Sequence, residues 1–285
     1  MIHRYNGPTK EYAESSMVSN KTTGDNVFGK GLTSKAAQVQ FGRQAASYAN
    51  SSVHRSGASL DAVVRYAALE PCAIAVDVGA GAGFTAFALS EYADYVLATD
   101  IAPEMVAAAS NLAADRGLSN VGMVLAEASC LPFSSGSFDL AASRWAAHHF
   151  HDLPKAMAEF RRILKPGAIL IMADTVAPEG KSESVWMDRM ETLRDNSHQK
   201  NLKVSEWKSL LINNGFSITH STMTTVDLEL ENWMLRSATP LAQVEELRRE
   251  FLDASPNIAG AFGIQEIEGE INFYWDTLVV RAVRT

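Results

Sequence analysis

The sequence predicts an α/β fold whose centre is a doubly wound, mostly parallel β-sheet. An apolar segment at 72–79 runs directly into a glycine-rich turn, and apolar strands then alternate with helices as far as residue 174. This alternation is typical of βαβ units, which place parallel strands side by side. Sheets of this kind bind ligands beyond the carboxyl ends of their strands, where the strand order reverses. We therefore expect the functional site at that edge.

Each element of the alternating region follows from a local signal. Pro103 suits the first turn of its helix, and Lys165-Pro166-Gly167 is expected to end another. Short apolar runs predict strands at 72–79, 95–99, 121–126, 138–143 and 168–173. Apolar residues at helical spacing predict helices at 84–92, 103–116 and 153–164.

The flanking segments show a looser pattern. Ala37, Phe41, Ala45 and Tyr48 share one face of a helix that begins near Lys35. Further helices are expected at 11–18 (a short one), 60–69, 178–202, 204–214 and 240–252, and further strands at 216–228 and 271–283. The interpretation is a sheet domain with an N-terminal helical arm and an inserted cap.

The composition indicates a globular protein that acts on a small molecule. Of its 285 residues, 47% are hydrophobic and 20% are charged, and the net charge of -8 argues against a nucleic-acid partner. No apolar run approaches the roughly 20 residues that span a bilayer, and the first residues lack the apolar stretch of a secretory signal. Cys72 and Cys130 provide neither a disulfide framework nor a set of metal ligands. We therefore expect a cytoplasmic protein with no membrane span.

The sharpest local signal is the turn VDVGAGAGF at 76–84. Its glycines permit positive φ and allow a ligand to approach the backbone closely. Asp77, just before the turn, would repel a pyrophosphate but attract an ammonium group. Asp100 closes the second strand, where an acid can accept hydrogen bonds from ribose hydroxyls. A nucleoside that carries an ammonium group and no phosphate satisfies both acids, and S-adenosylmethionine (SAM) is such a molecule.

At this point the sequence resembles the class I SAM-dependent methyltransferases, in particular the branch of small-molecule C-methyltransferases of ubiquinone and menaquinone biosynthesis. The matching stretches cover most of 72–174 in the family's order: VDVGAGAGF (76–84), ATDIAPEMVAAA (98–109), AEASCLPFSSGSFDLAASRWAAHHF (126–150) and EFRRILKPGAILIMAD (159–174). The resemblance implies a Rossmann-like seven-stranded sheet with helices on both faces. It also implies lid helices within 1–70 and a methyltransferase domain over 71–285, with cap segments at about 176–202 and 229–262.

The resemblance also implies where the cofactor binds. Asp77 and the turn residues Gly79, Ala80, Gly81 and Gly83 would border the methionine end, and Asp100 the ribose. The adenine would lie between Ile101 and Met105. Glu127 and Ala128 would lie near the adenine amino group. Two further contacts are implied, Arg144 in the third matching stretch and Tyr48 in a lid helix. That lid helix also includes Phe41 and His54. Glu127 stands where the family usually has Asp, which adds a methylene to that contact.

Candidate general bases follow the fourth strand, in RWAAHHFHD. His148, His149 and His151 lie at the expected ligand edge, and a neutral histidine can accept a proton near pH 7. One of two adjacent histidines commonly packs inward against a backbone partner instead. Three histidines in four positions could suggest a metal, but no companion Cys or acid set has ligand spacing, so no metal site is predicted.

A second candidate constellation lies in the cap, in Arg194-Asp195-Asn196-Ser197-His198. A similar R-D-x-S-H stretch follows the fifth strand in the related branch, so the resemblance implies a role in the site. Asp195 could orient His198 as a base or as a hydrogen-bond partner of the substrate. An ordinary polar loop that caps the next helix is the alternative.

Large apolar residues of the cap allow two interpretations. They could line an acceptor pocket or form an ordinary core, which is the commoner use of such a stripe. The residues are Trp186, Met187, Met190, Trp233, Met234 and Phe262.

The leading hypothesis is methyl transfer from SAM to carbon or oxygen of an apolar, quinone-like or natural-product acceptor. The alternative is a methyltransferase-like cyclase of natural-product biosynthesis that binds SAM, with or without methyl transfer. A catalytically silent binding subunit is disfavoured by the intact acids, and a nicotinamide dehydrogenase by Phe84, which stands where the last glycine of a dinucleotide fingerprint belongs. The arm at 1–34 makes a homo-oligomer a further expectation.

Overall fold

The structure is a computed structural model that describes residues 34–49 and 51–285, apart from the side chains of Ala46 and Ser52. The short helix expected at 11–18, and with it most of the arm proposed for self-association, lies outside the described residues.

The described residues form alternating helices and strands. The helices are α1 (Ser34–Ala49), α2 (Ser52–Arg55), α3 (Ala58–Ala67), α4 (Phe84–Leu89), α5 (Pro103–Asp115), α6 (Leu153–Ile163), α7 (Lys181–Arg194), α8 (Val204–Asn213), α9 (Leu230–Arg236), α10 (Leu241–Leu252) and α11 (Pro256–Phe262). The strands are β1 (Cys72–Val78), β2 (Ala93–Asp100), β3 (Val121–Leu125), β4 (Phe138–Arg144), β5 (Leu164–Thr175), β6 (Phe216–Glu229), β7 (Gln265–Ile267) and β8 (Glu270–Arg284). A short 3-10 helix, Ala147–His149, follows β4.

The sheet confirms the predicted fold class. Its order is β3-β2-β1-β4-β5-β8-β6, and β7 pairs with β8 as a short additional strand. The first five strands in this order are parallel, whereas β8 runs antiparallel to β5 and β6. The strand order reverses between β1 and β4, so the carboxyl ends of β1, β2 and β4 form the expected ligand edge.

Side chains of the central strands alternate between two buried cores, one on each face of the sheet. Val76 and Leu170 pack into the core that contains α6, while their neighbours Ala75 and Ile171 pack into the core that contains α3. Successive residues of a strand point to opposite faces, and both faces are covered by helices, which explains the continuous apolar runs of these strands.

Two predicted boundaries differ from the structure by four residues or more. Strand β5 begins at Leu164 rather than at 168, because Leu164 pairs with Phe138 before the register shifts to the Leu140–Ile169 pair. Helix α7 ends at Arg194 rather than near 202. There the carboxylate of Asp195 accepts hydrogen bonds from the backbone N–H and the hydroxyl of Ser197, which closes a local turn in place of the helix.

The apolar stripe of the cap packs as a third core. Met187, Met190, Trp233, Met234 and Phe262 are buried in it, and the half-buried Trp186 stacks on Phe262 with 5.1 Å between ring centroids. None of these residues lines the main cavity described below.

Strand β8 contributes to all three of these cores, since Val279 packs into the core that contains α3. Its first half contributes Phe273 and Trp275 to the cap core, and its second half contributes Leu278, Val280 and Ala282 to the sheet core around α6. Among the described helices, none is long and apolar enough to cross a membrane.

We expect truncation of Phe160 to destabilise the fold strongly. Phe160 is completely buried between α6 and the sheet, and Phe→Ala at such a site costs about 3–5 kcal/mol. Urea unfolding of Phe160→Ala should show this loss, whereas Lys155→Ala on the exposed face of the same helix should stay within about 0.5 kcal/mol of wild type. A loss in Phe160→Ala as small as that of the control would contradict this description of the core.

Candidate cofactor and active site

An open cavity lies at the carboxyl ends of β1, β2 and β4, with about 980 Å³ of empty space that includes the adjoining solvent. Its walls come from α1, the turn after β1, the ends of β2 and β3, and the segment after β4. Twelve of the residues predicted for the site line it: Tyr48, Gly79, Ala80, Gly81, Asp100, Ile101, Met105, Glu127, Ala128, Arg144, His149 and His151. Asp77, Gly83, His148, Asp195 and His198 are not among the lining residues.

The glycine turn needs its glycines for backbone geometry. Gly79 has φ 74° and Gly81 has φ 53°, a region that favours glycine. A Cβ added to Gly79 would lie 2.6 Å from the Cβ of Ala146, so that position has no room for a side chain. The N–H groups of Gly79 and Ala80 donate to the carbonyl of Thr99 at 2.9 and 2.8 Å, which holds the turn against β2.

Asp100 joins this turn to the start of α5. Its Oδ2 accepts the N–H of Gly81 at 2.8 Å and its Oδ1 accepts the N–H of Ala102 at 2.9 Å. Burial raises the pKa of Asp100 even though these backbone bonds oppose the rise. A carboxylate oxygen accepts more than one hydrogen bond, so the group retains acceptor capacity for ligand hydroxyls in the cavity that it lines.

Asp77 is a buried carboxylate that forms no hydrogen bond of good geometry in the described part of the chain, although the backbone N–H of Ala86 comes near enough to lower its pKa. Both of its oxygens are buried and unpaired. Burial raises the pKa of Asp77 to about 7, and the charge of Arg144 opposes that rise. An unpaired buried carboxylate is costly, and an ammonium group bound above the glycine turn would offset that cost.

Arg144 anchors the end of β4 to the helices beneath the cavity. It donates to Thr85 Oγ1 at 3.1 Å, to Ser59 Oγ at 3.3 Å and to the carbonyl of His54. Burial lowers the pKa of Arg144 to about 10, opposed by the charge of Asp77. Its guanidinium also lies 4.4 Å from the ring centroid of Trp145.

Trp145 adopts a backbone conformation that is rare for a bulky residue, with φ 52°. The conformation is held by a hydrogen bond from its N–H to the carbonyl of Ala173 at 2.8 Å and by one from its indole N–H to Thr277 Oγ1 at 3.2 Å. The indole ring therefore forms part of the cavity wall, at right angles to the ring of His54.

Glu127 lines the cavity together with Ser129 and Ser34. Its Oε1 accepts the hydroxyls of Ser129 at 2.8 Å and of Ser34 at 3.0 Å, which brings the start of α1 over the cavity. The Ser34 contact was not predicted from the sequence, because residues 93 positions apart carry no local pattern that would connect them.

The two adjacent histidines of the 3-10 helix have different partners. His148 Nδ1 lies 2.5 Å from Asp174 Oδ1, and the His148 N–H donates to Asp174 Oδ2 at 3.0 Å. Burial by itself would lower the pKa of His148, but the charge and hydrogen bond of Asp174 outweigh it and raise that pKa. For His149, burial and then the charges of His148 and His198 hold the pKa well below the usual range.

His149 belongs to a chain of hydrogen bonds that ends on Asp195. Ser197 Oγ donates to Asp195 Oδ1 at 2.6 Å and lies 3.0 Å from His149 Nδ1. Since the hydroxyl has only one proton and gives it to the carboxylate, Oγ must accept the Nδ1 proton of His149. The neutral ring then carries its lone pair on Nε2, so His149, which lines the cavity, has the tautomer of a proton acceptor.

The expectation that Asp195 orients His198 is wrong. His198 Nε2 lies 3.2 Å from Asp188 Oδ1, while the carboxylate of Asp195 bonds to Ser197. The three histidine rings are nevertheless close, with centroids 4.2 Å apart for His148–His149 and 5.8 Å for His148–His198.

Sequence reasoning assigned no role in the site to three functional candidates, of which His54 was named only as part of the lid helix. Ser197 was within the quoted R-D-x-S-H segment but was not given a role, and Asp174 carried the signal of an acid at the carboxyl end of a strand. His54 lines the cavity with its ring 4.7 Å from that of Tyr48, and burial lowers its pKa well below the usual range. Among the described residues, no group of three or more His, Cys, Asp or Glu side chains could hold a metal ion.

Comparison with known proteins gives a consistent result. A methyltransferase domain model matches residues 76–172. The chain is 30% identical over 227 residues to the uncharacterized methyltransferase YcgJ of Bacillus subtilis, covering 80% of this chain and 90% of that protein. The crystal structure of YcgJ superimposes with a TM-score of 0.75 at 29% identity and covers 79% of this chain and 97% of YcgJ.

Two further similarities are more limited in extent or identity. The demethylmenaquinone methyltransferase of Thermus thermophilus is 36% identical over 105 residues, which are 36% of this chain and 47% of that protein. The crystal structure of the 4+2 cyclase SpnF superimposes with a TM-score of 0.58 at 20% identity over 79% of this chain and 80% of SpnF, a likeness of fold alone.

We expect the His148–Asp174 pair to make stability depend on pH. Because the folded-state pKa of His148 is raised, the pair stabilises the fold fully below the ordinary histidine pKa of about 6.5. This stabilisation is lost as the pH rises through the raised pKa. In Asp174→Asn the His148 pKa should fall, as measured by NMR titration of the ring, and this component of the pH dependence of unfolding should disappear.

His220→Gln, which removes an exposed histidine, is the control and should leave the profile unchanged. A profile for Asp174→Asn that runs parallel to that of wild type would show that the pair makes no such contribution.

Proposed function

The chain belongs to the class I SAM-dependent methyltransferases, and from this premise we propose that it methylates carbon or oxygen of an apolar small-molecule acceptor. A quinone-like or natural-product acceptor is favoured by the aromatic rings of Phe41, Trp145 and Phe150 in the cavity wall. The single observation that carries the proposed cofactor site is the buried, unpaired carboxylate of Asp77 beside the glycine turn.

The proposed cofactor contacts follow from this carboxylate. Asp77 and the turn from Gly79 to Gly83 would receive the methionine end of SAM, and Asp100 the ribose hydroxyls. The adenine would lie against Ile101 and Met105, with Glu127 and Ala128 near its amino group. The polar groups present fit such a ligand, because the unpaired carboxylate of Asp77 lies directly before the glycine turn that lines the cavity, and the carboxylates of Asp100 and Glu127 belong to the cavity wall.

Bound SAM would supply an electrophilic methyl group with a good leaving group, so the main task of the chain is alignment of the acceptor. Where the acceptor has a proton to lose, His149 Nε2 is our proposed base. Ser197 and Asp195 would hold the required tautomer, and the low pKa of His149 keeps it neutral and able to accept a proton near pH 7. His148 and His198 would act indirectly, by holding His149 in place and opposing its protonation.

A cyclase that binds SAM is the second candidate, and the fold likeness to SpnF is what supports it. The mass of the product distinguishes the two reactions, because methyl transfer adds one methylene to the acceptor and cyclisation alone adds none. Self-association through the arm at 1–34 and a cytoplasmic location also remain proposals.

We expect S-adenosylhomocysteine to bind with micromolar affinity and to release a proton from Asp77. Below pH 7 much of Asp77 is protonated in the free protein, because its pKa is about 7, and a bound ammonium favours the carboxylate form. Calorimetry at about pH 6.5 in buffers of different ionisation enthalpy should therefore detect proton release. Asp77→Asn should abolish the release, and Asp100→Ala should abolish most of the binding.

Asp115→Asn is the matched control, since Asp115 is exposed and remote from the cavity. Absence of S-adenosylhomocysteine binding to wild type would refute the proposed function. Binding that Asp77→Asn and Asp100→Ala leave unchanged would refute the proposed contacts.

We expect Ser197→Ala to disturb the tautomer of His149 without affecting cofactor binding. Long-range ¹H–¹⁵N NMR spectra should show the Nδ1–H form in wild type, a mixture in Ser197→Ala, and recovery in Ser197→Thr, which keeps the hydroxyl. With an acceptor that must lose a proton, His149→Gln should reduce kcat by about 10²–10⁴. Ser182→Ala, at an exposed serine, is the control, and an unchanged tautomer in Ser197→Ala would eliminate the proposed positioning role.

A further inference from the structure

The segment between α7 and α8 contains three buried polar atoms without a hydrogen-bond partner in the described part of the chain. They are Asp195 Oδ2, His198 Nδ1 and Asn201 Nδ2, and their residues are 2%, 3% and 1% exposed. Buried polar atoms are almost always paired, either with the protein or with ordered water. Three unpaired atoms in one short segment therefore point to a partner that they share.

Two of the three side chains are held through their other polar atom. Asp195 Oδ1 accepts the hydroxyl of Ser197 at 2.6 Å, and Asn201 Oδ1 accepts the hydroxyl of Thr175 at 2.7 Å. The unpaired atoms of Asp195 and Asn201 are thus fixed in position and are not the ends of mobile side chains.

Asp188, on α7, holds the third side chain and links it to the others. Its Oδ1 lies 3.2 Å from His198 Nε2 and accepts the N–H of Asn201 at 2.8 Å. The N–H of His198 donates to the carbonyl of Asp195 at 3.1 Å, and the ring of His198 lies 6.3 Å from that of His149. Direct bonds therefore connect the three residues beside the proposed base, and their unpaired atoms belong to one compact unit.

The tautomer of His198 decides which partner fits this unit. The carboxylate of Asp188 can only accept a hydrogen bond, so the neutral ring carries its proton on Nε2 and its lone pair on Nδ1. His198 Nδ1 and Asp195 Oδ2 are then both acceptors and cannot bond to each other. A water molecule can donate to both and accept from the amide of Asn201, and about three hydrogen bonds are typical of a buried water. A cation would suit the two acceptors but would face the Asn201 donor.

We propose that one buried water donates to Asp195 Oδ2 and His198 Nδ1, accepts from Asn201 Nδ2, and keeps Asp195 in its carboxylate form. This form matters because Ser197 gives its proton to Asp195 and so must accept the Nδ1 proton of His149. A protonated Asp195 would donate to Ser197, and the reversed chain would leave the proton of His149 on Nε2. His198 and Asn201 are therefore positioning residues, and the proposal rests on the proposed function in that His149 is the base.

The titratable groups around Asp195 leave its Oδ2 to the water. Among the described residues, none of them forms a hydrogen bond with Oδ2. Glu191 is paired with Arg194 at 3.2 Å, and His149 is connected to Asp195 only through Ser197. The remaining groups are Tyr48 on α1, His148 in the 3-10 helix, and His198 itself.

A crystal structure of the full chain that shows ordered waters tests the site directly. We expect a water within about 3.2 Å of both Asp195 Oδ2 and His198 Nδ1. A direct bond between these two atoms, a bound cation, or a site without any density would overturn the proposal.

Long-range ¹H–¹⁵N NMR spectra test the effect of the water on the proposed base. His198→Phe keeps a ring but removes the acceptor of the water. In this variant the pH below which the proton of His149 moves from Nδ1 to Nε2 should rise by about one to two units, as expected for the loss of one hydrogen bond to a charged group. Asn201→Leu removes the donor to the water and should act in the same direction.

A conservative variant and a surface control separate this effect from a general loss of structure. His198→Gln has an amide oxygen that can accept from the same water, so it should keep the wild-type pH dependence. His220→Gln, at an exposed histidine, should also leave it unchanged. Circular dichroism shows whether each variant is folded.

The outcomes separate this proposal from the one on which it rests. A proton on Nδ1 of His198 in wild type, an unchanged pH dependence in folded His198→Phe and Asn201→Leu, or a change that His198→Gln does not restore would overturn it. The spectra require neither acceptor nor cofactor. Absence of S-adenosylhomocysteine binding to wild type would therefore refute the proposed function without affecting the result for the water.

Discussion

The ligand edge of the sheet depends on one carboxylate that accepts two backbone N–H groups. Asp100 bonds to Gly81 in the turn after β1 and to Ala102 before α5, so it fixes the turn, the end of β2 and the start of the next helix relative to one another. The glycines allow the turn to come this close, and Asp77 lies in β1 two residues before Gly79, paired with Ala98 of β2. Both acids of the candidate cofactor site are thus placed by the same local arrangement.

The pKa values of two adjacent histidines in the candidate site are shifted in opposite directions by their surroundings. His148 and His149 follow each other in one 3-10 helix, yet an acid beside the first raises its pKa, whereas burial and neighbouring histidines lower that of the second. The charge that Asp174 stabilises on His148 itself opposes protonation of His149. A pair of histidines is therefore a better arrangement for a neutral base than either residue alone.

The sequence predicted the parts of the site that are specified locally. Asp77, the glycine turn and Asp100 belong to a strand-turn-helix unit and to the strand beside it, and their spacing is a direct consequence of that geometry. The partner of His149 was not predictable in this way, because Ser197 is 48 positions away and any polar residue of 194–198 could have reached the ring.

The shared strand β8 has a consequence for the engineering of acceptor specificity. Because Phe273 and Trp275 belong to the cap core while Leu278, Val280 and Ala282 belong to the sheet core, the cap is not an independent module on a flexible linker. A chimaera that exchanges only 176–202 and 229–262 would set a foreign cap against native Phe273 and Trp275, and its new core would pack poorly. The unit that can be transplanted also includes the first half of β8 and the end of β6 that pairs with it, and the crossover points belong inside these strands rather than in the loops.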